Sequence, residues 1–226
     1  MLLQMTRPVQ AGLRQERQYE LISHHLANAD TTGYKKQILS FDAVFKATLT
    51  QDQRQGDVCK TENPLDLAIE GPGFFRVQTD QGVRLTRNGN FRLDTAGQLV
   101  TQTGDPVLGD AGPILINGDM VTIAADGRVA VDGQAVGTLS LVDVPEPQRM
   151  KTAGDAYFIY EGDPAEMTPA GAATIRQGTL ERPNFSVVGE MTRMIEVHRM
   201  YETIQKMIQS FDEIDSKVIN DVGRTL

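Results

Sequence analysis

The chain has 226 residues, enough for one large domain or two smaller ones, and its 40% hydrophobic and 23% charged content is that of an ordinary globular protein. A net charge of −8 argues against nucleic acid as the main partner, because a phosphate backbone is bound through basic surface. No apolar run approaches the ~18 residues of a membrane span, the start is too polar for a cleaved secretory signal, and the single cysteine, Cys59, excludes an internal disulfide and a cysteine metal cluster.

Residues 1 to about 29 read as a helix of about 30 Å. Its regular part is expected from around Pro8, which is tolerated only near a helix start. Val9, Leu13, Leu21, Ile22, Leu26 and Ala29 supply an apolar side. Leu26 to Lys35 (LANADTTGYK) then reads as a helix ending: Asn28 and Asp30 offer side-chain bonds to freed backbone groups, and Gly33 can turn left-handed. Ile38, Leu39, Phe41, Val44 and Phe45 fit either a short helix or an extended strap, and the polar run Thr50 to Asp57 is expected to be a mobile loop.

From Leu65 the texture changes to short strands and turns. Strands are expected at Leu65–Glu70, Phe74–Gln78, Val83–Arg87, Asn90–Leu93, Gly97–Val100, Pro106–Leu108, Ile114–Ile116, Val121–Ile123, Val129–Val131, Thr138–Val142 and Tyr157–Tyr160. Asn88-Gly89, Asn117-Gly118, Asp126-Gly127 and Asp132-Gly133 supply turn pairs between or beside them. Ala173 to Leu180 leads back as an extended return. From Val187 a helix of about 50 Å follows, with Ser186 as its N-cap. Its apolar stripe runs Val187, Met191, Met194, Tyr201, Ile204, Ile208, Phe211, Val218, Val222. That stripe resembles a coiled-coil seam with faults: His198 and Asp215 stand where apolar residues belong, and the step from Tyr201 to Ile204 is short.

Residue chemistry points to no active site. His24 and His25 are adjacent and cannot face one metal from a helix. His198 reads as a packed or hydrogen-bonded histidine, and Cys59 has no nearby histidine to make it a nucleophile. Gly71-Pro72-Gly73 lacks the spacing and lysine of a phosphate loop, and the Asp-Gly pairs do not form a calcium loop. No two of the many carboxylates stand out as a hydrolase pair. The methionines Met191, Met194, Met200 and Met207 suit an interface that fits non-identical neighbours.

Three stretches, in order, carry a resemblance to a known family. LANADTTGYK, then NPLDLAIEGPGFFRV (63–77) with TRNGNF (86–91), and finally GTLERPN (178–184) before the long helix resemble the signatures of the bacterial flagellar rod and hook axial proteins. The central motifs and the length look most like the family's proximal-rod members, with distal-rod members next. Pro183 departs from the serine common before the asparagine of the last motif.

The resemblance implies an α+β fold. Long terminal helices, 1–40 and 181–226, would form a coiled-coil-like module, flanking an inserted, mainly antiparallel β domain, 65–180, through a connecting segment, 41–64. It implies a structural subunit of the basal-body rod rather than an enzyme, with no cofactor, assembling with other rod proteins and copies of itself into a hollow, torque-transmitting periplasmic shaft. Export would run through the flagellar type III apparatus, and the surrounding ring and peptidoglycan are further candidate contacts. Leu13, Ile22, Leu26, Met194, Tyr201, Ile208 and Phe211 are the expected interface or intrachain seam, and Asn28, Thr31, Gly33 and Asn184 the residues that shape the connections. A wall-cutting hydrolase in the middle domain is the alternative of another class; it requires a cleft with two suitably spaced carboxylates.

Overall fold

The computed structural model describes residues 2–41, 47–154 and 156–224; Val44 and Phe45 lie outside them, as do the side chains of Asp215, Val218 and Val222. Helix α1 (Leu2–Ala27) and helix α2 (Val187–Arg224) make one compact unit, and residues 28–185 make the other. Pro8 lies inside α1 rather than at its start. A proline this early removes one main-chain donor without ending the helix, so sequence placed the beginning too late.

The second unit opens with strands that sequence left undecided. Strands β1 (Gln37–Phe41) and β2 (Ala47–Gln51) pair antiparallel, with Gln37 opposite Gln51. The run after them, expected to be a mobile loop, is pinned. Asp52 N–H donates to Lys36 O at 2.8 Å, Gly56 N–H to Glu181 Oε1 at 2.9 Å and Arg182 N–H to Asp57 O at 2.8 Å. Its polar composition hid partners more than a hundred residues away. Strand β3 (Val58–Lys60) pairs with Thr179–Glu181, and β4 (Leu67–Glu70) with Thr174–Gln177, so the expected return runs antiparallel to the entry.

The largest sheet has six strands, in the order Met150–Thr152, Tyr157–Tyr160, β6 (Gly82–Thr86), β5 (Phe74–Thr79), Leu141–Asp143, Thr168–Pro169, with every pairing antiparallel. Successive side chains on a strand point to opposite faces, and both faces of this sheet are covered. Phe74 joins Leu85, Val142, Met150 and Phe158 on one side. Phe75 and Val77 join Leu67, Ile69, Phe91, Leu99, Val107 and Val129 on the other, where the Phe75 and Phe91 rings meet edge to face at 5.2 Å. Two consecutive phenylalanines are therefore both interior.

Three sequence expectations change. Asn88-Gly89 does not close a hairpin, since Phe91–Leu93 pairs with Leu99–Thr101 instead of β6. Gly89 lies against β4: its carbonyl accepts Leu67 N–H at 2.9 Å, and a Cβ there would stand 1.7 Å from Leu67 O. Thr138–Val142 is two strands, Gln134–Thr138 and Leu141–Asp143, because the chain changes sheets at Leu139–Ser140. Ile114 and Ile116 are buried, but their segment forms no regular strand: it joins its neighbours through an isolated bridge, Gln98 to Leu115, and an Ile114 N–H bond to Val107 O at 3.3 Å. Asp132-Gly133 is the expected two-residue turn, both residues at positive φ.

Candidate functional site

Within the helical unit, α1 and α2 run antiparallel. His25 meets Glu190, Tyr19 meets the His198 ring at 6.4 Å, and Gly12 faces Ile204. Ser186 caps α2, its Oγ accepting Gly189 N–H at 3.3 Å. The face of α2 toward α1 is Glu190, Met194, Val197, Tyr201, Ile204, Ile208, with steps alternating four and three. Val197 and Ile204 are buried, and Met194, Tyr201 and Ile208 half-buried. The sequence reading placed His198 in this row. The structure puts Val197 there and leaves the His198 side chain 61% exposed, its Nε2 3.4 Å from Glu202 Oε1. With Val197 restored, the short step and the polar fault at 198 both vanish. Met191, expected in the stripe, is 52% exposed.

Glu190 reads from sequence as a first-turn charge on one of the other faces, because a carboxylate does not mark an apolar seam; the structure puts it inside. It is 4% exposed and pairs through Oε2 with Nδ1 of His25, itself 1% exposed, at 3.1 Å. Two buried polar groups that satisfy one another fix the register of two otherwise slippery apolar faces. The other expected seam residues divide. Ile22 is buried and Leu26 half-buried, whereas Leu13 is 56% and Phe211 38% exposed.

Beside the seam run two grooves, of ≈ 420 and ≈ 330 Å³, sharing Glu16 and Tyr201. Val9, Leu13 and Ile208 line the larger, Tyr19 and His198 the smaller, and Glu16 supplies the sole carboxylate in either lining. Val188, Met191, Ile195, Met200, Met207 and Ile214 are exposed on α2. Among the described residues no group of His, Cys, Asp and Glu is placed to hold a metal, and no helix is long and apolar enough to cross a membrane.

The four connection residues lie in the other unit. Asn28 is buried and its Oδ1 accepts the Thr31 hydroxyl at 3.1 Å. Gly33 is left-handed, φ +68°, and its N–H donates to Glu181 O at 2.8 Å. Asn184 accepts Lys36 N–H at 2.8 Å and donates to Asp52 O and Arg54 O at 2.8 and 3.0 Å. Sequence reasoning missed what these residues surround. Lys35 Nζ donates to Glu181 Oε1 at 2.6 Å and to Arg54 O at 2.8 Å, and Arg87 NH1 lies 3.6 Å from Glu181 Oε2. All three side chains are buried. Burial pushes the Lys35 ammonium below its ordinary value against the pull of Glu181, and lowers Arg87 in the same way.

Each sequence signature thus sends residues to one place: Gly33 and Lys35 from the first, Arg87 and Asn88 from the second, Glu181 and Asn184 from the third. Residues 68–131 match the family described as "Flagellar hook protein FlgE/F/G D1 domain", and residues 176–221 match "Flagellar basal body rod FlgEFG protein C-terminal". The chain is 33% identical to the flagellar basal-body rod protein FlgF of Caulobacter vibrioides, over 92% of this chain and 93% of that one. The chain belongs to the flagellar basal-body rod FlgE/F/G family. This rod-family protein is 32% identical to FlgF of Salmonella typhimurium over 88% of its length and 90% of the relative's. It is also 30% identical to the rod protein FlgG of Buchnera aphidicola, over 88% and 91%. Membership makes it a structural protein of the basal-body rod rather than an enzyme.

Proposed function

We propose that this chain is a proximal-rod subunit, FlgF-like, that assembles through α1 and α2 with copies of itself and with other rod proteins into the torque-transmitting, hollow shaft. The observation that carries the reading is apolar surface left over once the helices have paired. Leu13 and Val9 on α1, and Val188, Met191, Ile195, Met207 and Phe211 on α2, remain exposed, on two helices whose mutual seam is already filled. Burying that surface takes further helices. Contacts between unlike faces repeat without closing, which gives a helical array. Leu13 and Phe211 belong to that outer contact. Ile22 sits in the intrachain seam, and Met194, Tyr201 and Ile208 lie along it, Tyr201 and Ile208 also lining the grooves.

Of the division 1–40 and 181–226 against 65–180, we assign packing in the shaft to the helices, with residues 28–40 and 181–185 folding in the β unit, and ring and peptidoglycan are candidate contacts of that unit. Export through the flagellar type III apparatus follows from the same reading. A distal-rod, FlgG-like position is the second reading, supported by the near-equal likeness to the Buchnera FlgG protein.

Washed hook–basal bodies from the source bacterium, analysed by mass spectrometry and antibody labelling, test the assignment. Recovery at the membrane-proximal end in a few copies is expected. Labelling further out in several-fold more copies points to the distal rod, and absence from the particles overturns both.

A further inference from the structure

We propose that Glu181 is the charge lock of a latch that holds residues 33–41 and 47–57, with strands β1 and β2 among them, as a strap that opens independently of the apolar β core. Two features of the second unit converge on this. The first is charge. Lys35 and Arg87 bring two buried cations to one buried carboxylate. Around them, the carboxylate of Asp52 adds to the field at Lys35 and that of Asp143 to the field at Arg87. Asp52 is already taken by the exposed Arg54, whose guanidinium it accepts at two oxygens. Glu181 is therefore the acid in hydrogen-bond contact with Lys35.

The second feature is what the latch ties. Glu181 gives its main-chain oxygen to Gly33 N–H and its Oε1 to both Lys35 and Gly56 N–H. Asn184, three residues on, binds Lys36, Asp52 and Arg54. Gly33 and Gly56 are packed too closely for a side chain: a Cβ would stand 2.4 Å from Arg87 C and 2.0 Å from Arg182 O. The strap's entry and exit, residues 33–36 and 52–57, thus meet the return over 181–184 through polar contacts, with Tyr34 edge-on to Phe185 at 6.0 Å and Gln55 donating to Ile69 O at 3.0 Å beside them. Among the described residues of the strap, none belongs to either apolar cluster. Above the latch stands the β1–β2 hairpin, exposed on both strands at Ile38, Ser40, Thr48 and Leu49. A two-stranded hairpin is marginal alone, and the latch, with the bonds of Gln37 and Gln51 to the Thr152 hydroxyl at 2.9 and 2.6 Å, fixes its base.

Removing the carboxylate charge strands two buried cations, which is far more disruptive than losing a neutral contact. The strap opens as a local unit while the apolar clusters stay closed. This inference stands whichever axial position the chain occupies.

The test is hydrogen exchange read by mass spectrometry on the full chain. In Glu181→Gln, peptides over 33–41 and 47–57 are expected to exchange at least tenfold faster, with Leu67–Glu70, Phe74–Thr79 and Leu99–Thr101 unchanged. Adding Lys35→Met removes one stranded cation and is expected to slow the strap again relative to Glu181→Gln alone, a coupling read by the double-mutant cycle. Unchanged strap exchange in Glu181→Gln overturns the latch. Equal acceleration over strap and core makes Glu181 a general core residue, and a double variant no slower than the single one removes charge as the cause. Should Glu181→Gln fail to accumulate, Lys35→Met alone is read the same way: acceleration confined to 33–41 and 47–57 supports the latch, and none overturns it.

Discussion

Gly33 combines a left-handed backbone with the closest packing at the helix exit. An alanine there meets Arg87 C at 2.4 Å and Asn88 N at 2.5 Å, both main-chain atoms that cannot swing aside. The left-handed conformation and the clash together should cost about 2–4 kcal/mol, read as a lower urea midpoint for Gly33→Ala. Gly12 is the opposite case. It sits in α1 with a Cβ position 3.7 Å from Ile204 Cγ2, ordinary contact. Gly12→Ala should therefore stabilise the helical unit by about 0.5–1 kcal/mol through helix propensity, measured by helix circular dichroism against denaturant. Asp52 supplies a pH prediction. Hydrogen bonds from the Arg54 side chain hold its carboxyl below the ordinary aspartate value. A depressed folded pKa stabilises the fold above the unfolded value of about 3.9 and loses that contribution as pH falls through the lower folded one. Asp52→Asn should flatten the acid limb of the stability curve, and an NMR titration of Asp52 should show a midpoint below that of a free aspartate.

At the scale of elements, the seam and the outer face of the helix pair are separable. Val197 is buried against α1 and Leu13 is exposed beside a groove. Val197→Asp should destabilise the helix pair by about 2–5 kcal/mol, a charge being placed in an apolar seam. Leu13→Asp should leave the pair's helix signal intact and abolish motility. A motile Leu13→Asp strain would remove Leu13 from the assembly contact. Ile208 belongs to both surfaces, half-buried in the seam and lining a groove. Ile208→Asp should abolish motility with the β unit still folded, seen as unchanged near-ultraviolet signals from its aromatic core.

At the scale of the whole molecule, the two units differ in depth of burial. The β unit closes fourteen buried apolar side chains into one cluster and six into another. Among its described residues the helical unit buries three large apolar side chains, Ile22, Val197 and Ile204. Hydrogen exchange on the free monomer should accordingly be fast through α1 to His25 and in α2 from Met200, and slow over the strands between Leu67 and Val142. Slow exchange at both helices would mean that they hold without neighbours.

Much of this architecture is legible from local pattern in the chain. Alternation and turn residues marked most of the strands, three-four spacing marked α2, and Asn28 with Gly33 marked the end of α1. Ser186 was legible as a cap because a hydroxyl before an apolar run has a local reason to be there. Which polar residues lie in the interior became visible once distant segments were placed side by side. Glu190 with His25, and Glu181 with Lys35 and Arg87, are partners across 165, 146 and 94 residues of chain. A buried charge looks like a surface one until its partner is placed, because its burial is made tolerable by something distant in sequence. Val197 taught the same lesson on α2. One residue of phase decides which side of a helix faces its neighbour, and α1, once in place, selects it.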